Sequence, residues 1–143
     1  MSQALTASAL AARLHAHAPY SKFLVGAAIE DENGAIHTGC NIENATYGLT
    51  VCAERIAIFK AMSEGVRHFT RIAIAADTDT LTPPCGACRQ ILWEFAGDIE
   101  ITLVNLKGQT ETLRLSTLFP RAFDASFILR FSLNGSHPGS GTV

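Results

Sequence analysis

Cys52, Ala53, Glu54 and Arg55 put a soft metal ligand, a carboxylate and a fixed positive charge within four consecutive positions. A second cluster, Pro84-Cys85-Gly86-Ala87-Cys88, follows further along. Thiolates are good zinc ligands, and a Cys-x-x-Cys at a helix start clamps one ion with two sulfurs. Three uses of these residues compete. Cys85 and Cys88 alone would make a redox pair. Adding Cys52 and Cys40 would close a structural zinc site of four thiolates, serving an interaction module. Cys52, Cys85 and Cys88 with an open fourth position would hold a water, whose pKa zinc lowers towards about 7.

Glu54 separates these readings. A closed zinc site gains nothing from a carboxylate two residues after a ligand, whereas a hydrolytic site needs a group to take and redeliver a proton. An acid in a helix's first turn is favoured by the dipole in any case, so Glu54 is informative only beside both cysteine clusters. Three thiolates leave a zinc complex negative, which blunts its acidity. Arg55 and two helix N-termini would draw charge from the sulfurs and restore it. Alone, Arg55 would pass as a surface ion-pair partner.

The surrounding elements have to bring the two clusters together. Leu5, Ala9, Leu10 and Leu14 recur at helical spacing, which predicts a helix over residues 2–17, ended by Ala18-Pro19. His15 and His17 suit a helix C-terminus and have no partner at a zinc-like spacing. Residues 23–29 and 36–40 read as antiparallel strands joined at Asn33-Gly34, where both residues tolerate positive φ. Residues 52–63 read as a helix stopped by Gly65, with Cys52 in the first turn and a cap at Leu49-Thr50. Residues 71–76 form a nearly continuous apolar strand, the kind buried on both faces. Residues 85–95 predict another helix, with Pro84 at its start. Strands over 99–104 and 109–113 share a link too short for a parallel crossover. The expected fold is α/β, three layers (α-β-α) around a five-stranded mixed sheet. One domain over residues 1–133 is expected, followed by a Gly- and Ser-rich flexible tail over 134–143.

The chain has 143 residues, 48% of them hydrophobic and 17% charged, with a net charge of −2. That suits one globular domain. No basic stripe offers a footprint for nucleic acid, so a small diffusible substrate fits better. No apolar run approaches the roughly 20 residues of a membrane span. The N-terminus lacks the charged start and apolar core of a signal peptide, which makes the cytoplasm the default location.

Cys52-Ala53-Glu54-Arg55 together with Pro84-Cys85-Gly86-Ala87-Cys88-Arg89-Gln90 resembles the cytidine deaminases that act on free nucleosides. The likeness runs from Pro19-Tyr20-Ser21-Lys22-Phe23 through Asn41-Ile42-Glu43-Asn44-Ala45 to Phe123. Nucleic-acid deaminases typically carry His-x-Glu at the first ligand, whereas Cys52 looks like the three-thiolate, free-nucleoside branch. The resemblance implies one Zn²⁺ per subunit on Cys52, Cys85 and Cys88, with Glu54 as proton carrier. It implies that Asn41 and Glu43 bind the ribose hydroxyls, that Phe23 lies against the pyrimidine, and that the Ala53 N–H meets the base carbonyl. Ala45 and Tyr47 resemble positions that reach a neighbouring subunit's ligand, and Phe123 an aromatic that closes a neighbour's site. A homotetramer with composite sites is therefore implied, working in pyrimidine salvage by converting cytidine and deoxycytidine to uridine and deoxyuridine. A sister deaminase of a modified cytosine nucleoside such as blasticidin S is the nearest alternative, although the Asn41-Ile42-Glu43-Asn44 loop favours plain ribose or deoxyribose. One departure is Pro83, where the family usually has Ser; the role usually given to that Ser uses its backbone carbonyl, which Pro retains. Cys40 stands outside the pattern and reads as a small buried residue.

Overall fold

The computed structural model describes residues 2–129. A five-stranded sheet runs in the order β2-β1-β3-β4-β5, with β1 at Val25–Asp31, β2 at Ile36–Cys40, β3 at Phe69–Ala76, β4 at Glu100–Val104 and β5 at Thr110–Arg114. Only the β3–β4 pair is parallel; the other pairs are antiparallel. The expected mixed sheet is therefore present, and the β4–β5 link is a hairpin. Residues of β3 from Ile72 to Ala76 are all buried, as the apolar run required of a central strand.

Helix α1 (Ser2–Arg13) covers one face of the sheet, while α2 (Ala53–Ser63) and α3 (Gly86–Ala96) cover the other. The period-2 alternation of β3 divides the core between these layers. Ile72 and Ile74 join Ala57, Ile58 and Leu92 on one side. Ala73 and Ala75 join Leu5 and Ala9 on the other. The α1 side is made of small residues because the helix lies very close to the sheet. A Cβ on Gly26 would sit 2.0 Å from the Ala9 carbonyl oxygen. Gly39 performs the same service for α2, since a Cβ there would lie 2.5 Å from both the Ala53 O and the Ala57 N. Gly39 thus fixes the height of the α2 N-terminus above β2.

Several boundaries differ from expectation. The first helix stops at Arg13 rather than His17. His17 instead donates its N–H to the Asn41 carbonyl and accepts from Glu43 N at 2.8 Å, so that a bridge to the loop after β2 replaces the last turn. In the β1–β2 hairpin only Gly34 takes a positive φ (83°); Asn33 does not. Asp31 Oδ1 closes this turn by accepting from the N–H groups of Asn33 and Ala35. Cys52 and Cys85 are the N-cap residues of α2 and α3, where the first helical turn was expected for Cys52 and a Leu49-Thr50 cap before it. Residues Tyr47–Leu49 form a 3-10 turn instead. Two short helices, α4 (Leu115–Leu118) and α5 (Ser126–Leu129), follow the sheet. No helix among the described residues is long and apolar enough to cross a membrane. The tail expected over 134–143 lies outside the described residues.

Candidate metal centre and pocket

The N-termini of α2 and α3 converge. Cys52 and Cys85 both have extended backbones and neither side chain caps its own helix, so both thiols are free for another partner. Cys88, in the first turn of α3, is fully buried. The three Sγ atoms lie within 4.8 Å of one another. The Cys52–Cys85 separation is 3.9 Å and the Cys85–Cys88 separation 3.5 Å. A tetrahedral ion with Zn–S bonds of about 2.3 Å sets its sulfurs about 3.8 Å apart, so the cluster has the span of a zinc site. Cys40 is not part of this cluster. It lies beside Lys60, with burial pushing its thiol pKa up. A closed four-thiolate site is therefore not what the fold assembles.

The donor chemistry agrees. The neighbouring Cys88 thiol pulls the Cys52 pKa well below the usual thiol range, and the same interaction pushes Cys88 up. Three sulfurs this close cannot all ionise unless a cation lies among them. Arg55 Nη2 donates to Cys52 Sγ at 3.3 Å, placing the guanidinium on the thiolate cluster. Its Nε is buried and has no hydrogen-bond partner among the described residues.

Glu54 is 4% exposed and lines the cavity over this cluster. Burial pushes its carboxyl up to about 7, with the negative Cys52 acting in the same direction. The cavity measures about 170 Å³. Phe23, Asn41, Ala53 and Cys52 line it, as do Thr50, Thr82 and Pro83. Ala53 is the first residue of α2, and such an N–H has no partner within its own helix. A second hollow of about 390 Å³ shares Thr50 with this cavity and is lined by Tyr20, Ser21, Glu43 and Tyr47.

Asn41 and Glu43 are more than polar loop residues. Asn41 is buried, accepts from Val25 N at 2.9 Å and donates from Nδ2 to the Phe23 carbonyl at 2.7 Å, bracing the chain on both sides of Leu24. Glu43 Oε1 accepts from the N–H groups of Tyr20 (3.0 Å) and Ser21 (3.1 Å), and the Ser21 hydroxyl donates to Oε2. That hydroxyl bond, with the two N–H groups, holds the Glu43 carboxyl below its ordinary value.

The remaining expected residues lie outside the metal cavity. Ala45 is exposed. Tyr47 is 74% exposed and meets Tyr20 edge-on at 5.8 Å. Phe123 is 56% exposed and stacks on Phe127, with its carbonyl held by Gln90 Nε2 at 2.8 Å. Thr50, expected only as part of a helix cap, lines the cavity, as does Thr82, whose one signal is its place just before Pro83-Pro84-Cys85. Arg89 directly follows Cys88 in the sequence. It ties the Pro84 and Leu118 carbonyls together and so fixes the chain that leads into Cys85.

The family described as the cytidine and deoxycytidylate deaminase zinc-binding region matches residues 1–103. A cytidine deaminase of Sporosarcina psychrophila is 52% identical over 120 residues, 83% of this chain and 88% of its own. The solved structure of a cytidine deaminase from Burkholderia pseudomallei superposes with a TM-score of 0.84 at 44% identity, covering 86% of this chain and 99% of that one. A blasticidin-S deaminase of Bacillus cereus is 32% identical over 108 residues, 70% of this chain and 76% of its own.

Proposed function

The chain belongs to the zinc-binding cytidine and deoxycytidylate deaminase family, and from that membership we propose that it hydrolyses the 4-amino group of cytidine and deoxycytidine, giving uridine and deoxyuridine plus ammonia. The observation that carries this reading is the coincidence of three zinc-spaced thiolates with a buried carboxylate on one small cavity. Cys52, Cys85 and Cys88 would hold the ion. A zinc ion there supplies Lewis acidity that makes water a nucleophile near neutral pH.

Glu54 accepts the proton from the attacking water, delivers it to N3 of the ring, and later passes a proton to the departing amine. Arg55 draws charge from the Cys52 sulfur. Phe23 lies against the pyrimidine and the Ala53 N–H meets its carbonyl oxygen. Asn41 and Glu43 receive the sugar hydroxyls. Each is already engaged within the protein, and each keeps spare capacity: one N–H and one lone pair on Asn41, further lone pairs on Glu43. The exposed Ala45, Tyr47 and Phe123, none of which lines the metal cavity, act across a subunit boundary in a homotetramer. The setting is pyrimidine salvage in the cytoplasm.

Zinc-loaded protein incubated with cytidine should show loss of the cytidine absorbance band with release of ammonia. Absence of turnover on cytidine and deoxycytidine, with turnover of blasticidin S in the same preparation, would overturn the substrate assignment. X-ray absorption should report three sulfurs and one oxygen on zinc; four sulfurs would mean a structural site.

A further inference from the structure

Ser21 lines the second hollow, two residues before Phe23, which lines the cavity over the thiolates. Its hydroxyl donates to Glu43 Oε2 and accepts from the Phe23 N–H at 3.0 Å. One side-chain oxygen is therefore bonded both to the carboxylate assigned to the sugar and to the backbone of the ring assigned to the base. Asn41 holds Phe23 from its other side, through the carbonyl. Between Ser21 and Phe23 the chain passes through Lys22 at φ 60°, the one non-glycine residue at positive φ among those described. An L-residue stays in that region only where its surroundings hold it. Here the holding bonds are Lys22 N–H to the Ala18 carbonyl at 3.0 Å, the two N–H groups on Glu43, and the Ser21 hydroxyl. The turn is thus held by hydrogen bonds, three of them accepted by the Glu43 carboxylate.

We propose that Ser21 is a positioning residue whose hydroxyl fixes the Glu43 carboxylate and the Phe23 backbone in one arrangement, coupling sugar recognition to base placement. This rests on the roles proposed above for Phe23 and Glu43. Ser21 does not line the cavity over the thiolates, so its influence falls on binding rather than on the proton transfers of Glu54. It is exposed, and Ser21→Ala keeps both backbone N–H groups on Glu43, so the variant is expected to fold.

The test measures kcat and KM for cytidine and for 2′,3′-dideoxycytidine, which lacks the 2′- and 3′-hydroxyls and keeps the 5′-hydroxyl. In Ser21→Ala the KM for cytidine should rise about tenfold, the scale of one hydrogen bond to a charged group, with kcat near wild type. The preference for cytidine over the dideoxy compound should shrink, and Ser21→Thr, which keeps a hydroxyl, should restore both. Glu43→Gln should lose the same preference, and adding Ser21→Ala to it should cost little more. If Glu43→Gln loses the preference while Ser21→Ala keeps it, the positioning role of Ser21 is wrong and the sugar assignment stands. If Glu43→Gln keeps the preference, the sugar assignment itself fails and the coupling with it. An equal fall of kcat in Ser21→Ala and Ser21→Thr with unchanged preference would also overturn the proposal, marking Ser21 as a general structural residue.

Discussion

The two ends of the pocket are held by different forces. At the metal end, Ala53, Glu54 and Cys88 are buried, and Gly39 and the sheet press the α2 N-terminus into place. At the other end, Tyr20, Ser21 and Tyr47 are exposed, and the Tyr20-Ser21 stretch is held by the hydrogen bonds it donates to the Glu43 carboxylate. Close packing resists displacement because a shift of part of an ångström already causes overlap. Hydrogen bonds near solvent are exchangeable, since water, a sugar hydroxyl or a neighbouring subunit can replace either partner. A site that must align a proton carrier with a reacting atom gains from the first kind of support. A site that admits and releases a ligand gains from the second.

The sharpest way to isolate the metal end is Glu54→Gln. The amide has nearly the same shape but cannot carry the proton, so turnover should fall by at least about 10²-fold, the usual share of general acid–base catalysis. Zinc content should persist, because the three thiolates are untouched. Steady-state rates with metal analysis on the same sample check both. Loss of metal together with activity would mean that Glu54 supports the site instead of acting in it.

A paired glycine experiment compares the two kinds of support directly. Gly39→Ala forces a Cβ to within 2.5 Å of helix backbone atoms that have no rotamer to escape into. It should cost about 1–3 kcal/mol, in the range of core overpacking, and weaken zinc retention as α2 is displaced. Gly48→Ala, in the turn beside Tyr47, meets nothing within 4 Å and does not need a positive φ. It should stay within about 0.5 kcal/mol of wild type. Denaturant unfolding with a zinc-release assay measures both. Equal effects would mean that the loop end is packed as tightly as the metal end, contrary to the comparison.

The same contrast explains what could be read in the chain. The metal end is written in consecutive residue types, so Cys52, Glu54, Arg55, Cys85 and Cys88 could be assigned chemistry from spacing. The central strand was legible because Ile72 to Ala76 is continuously apolar. Asn41 and Glu43 were legible only as polar loop residues or by resemblance. Their partners lie 16 to 23 positions away, and only tertiary folding brings them together. The early stop of α1 has the same origin, because His17 leaves the helix for a bridge with the loop after β2. In the β1–β2 turn the Asp31 carboxylate outweighed the local Asn-Gly signal.

The smallest expected effect concerns acid. The Ser21 hydroxyl, then the Ser21 and Tyr20 N–H groups, hold the folded-state pKa of Glu43 below its ordinary value of 4.5. A depressed carboxylate stabilises the fold fully above its unfolded-state pKa. That contribution is lost as the pH falls from there through the lower folded-state value. Thermal melts of wild type and Glu43→Gln should therefore differ at neutral pH, with the wild type higher, and converge as the pH falls below about 4. Glu43 reaches these partners at the exposed surface, so the difference should be modest and should shrink with added salt. A gap that persists undiminished in acid would show that Glu43 supports the loop through contacts independent of its charge. The exposed end of the pocket would then be held by packing, as the metal end is.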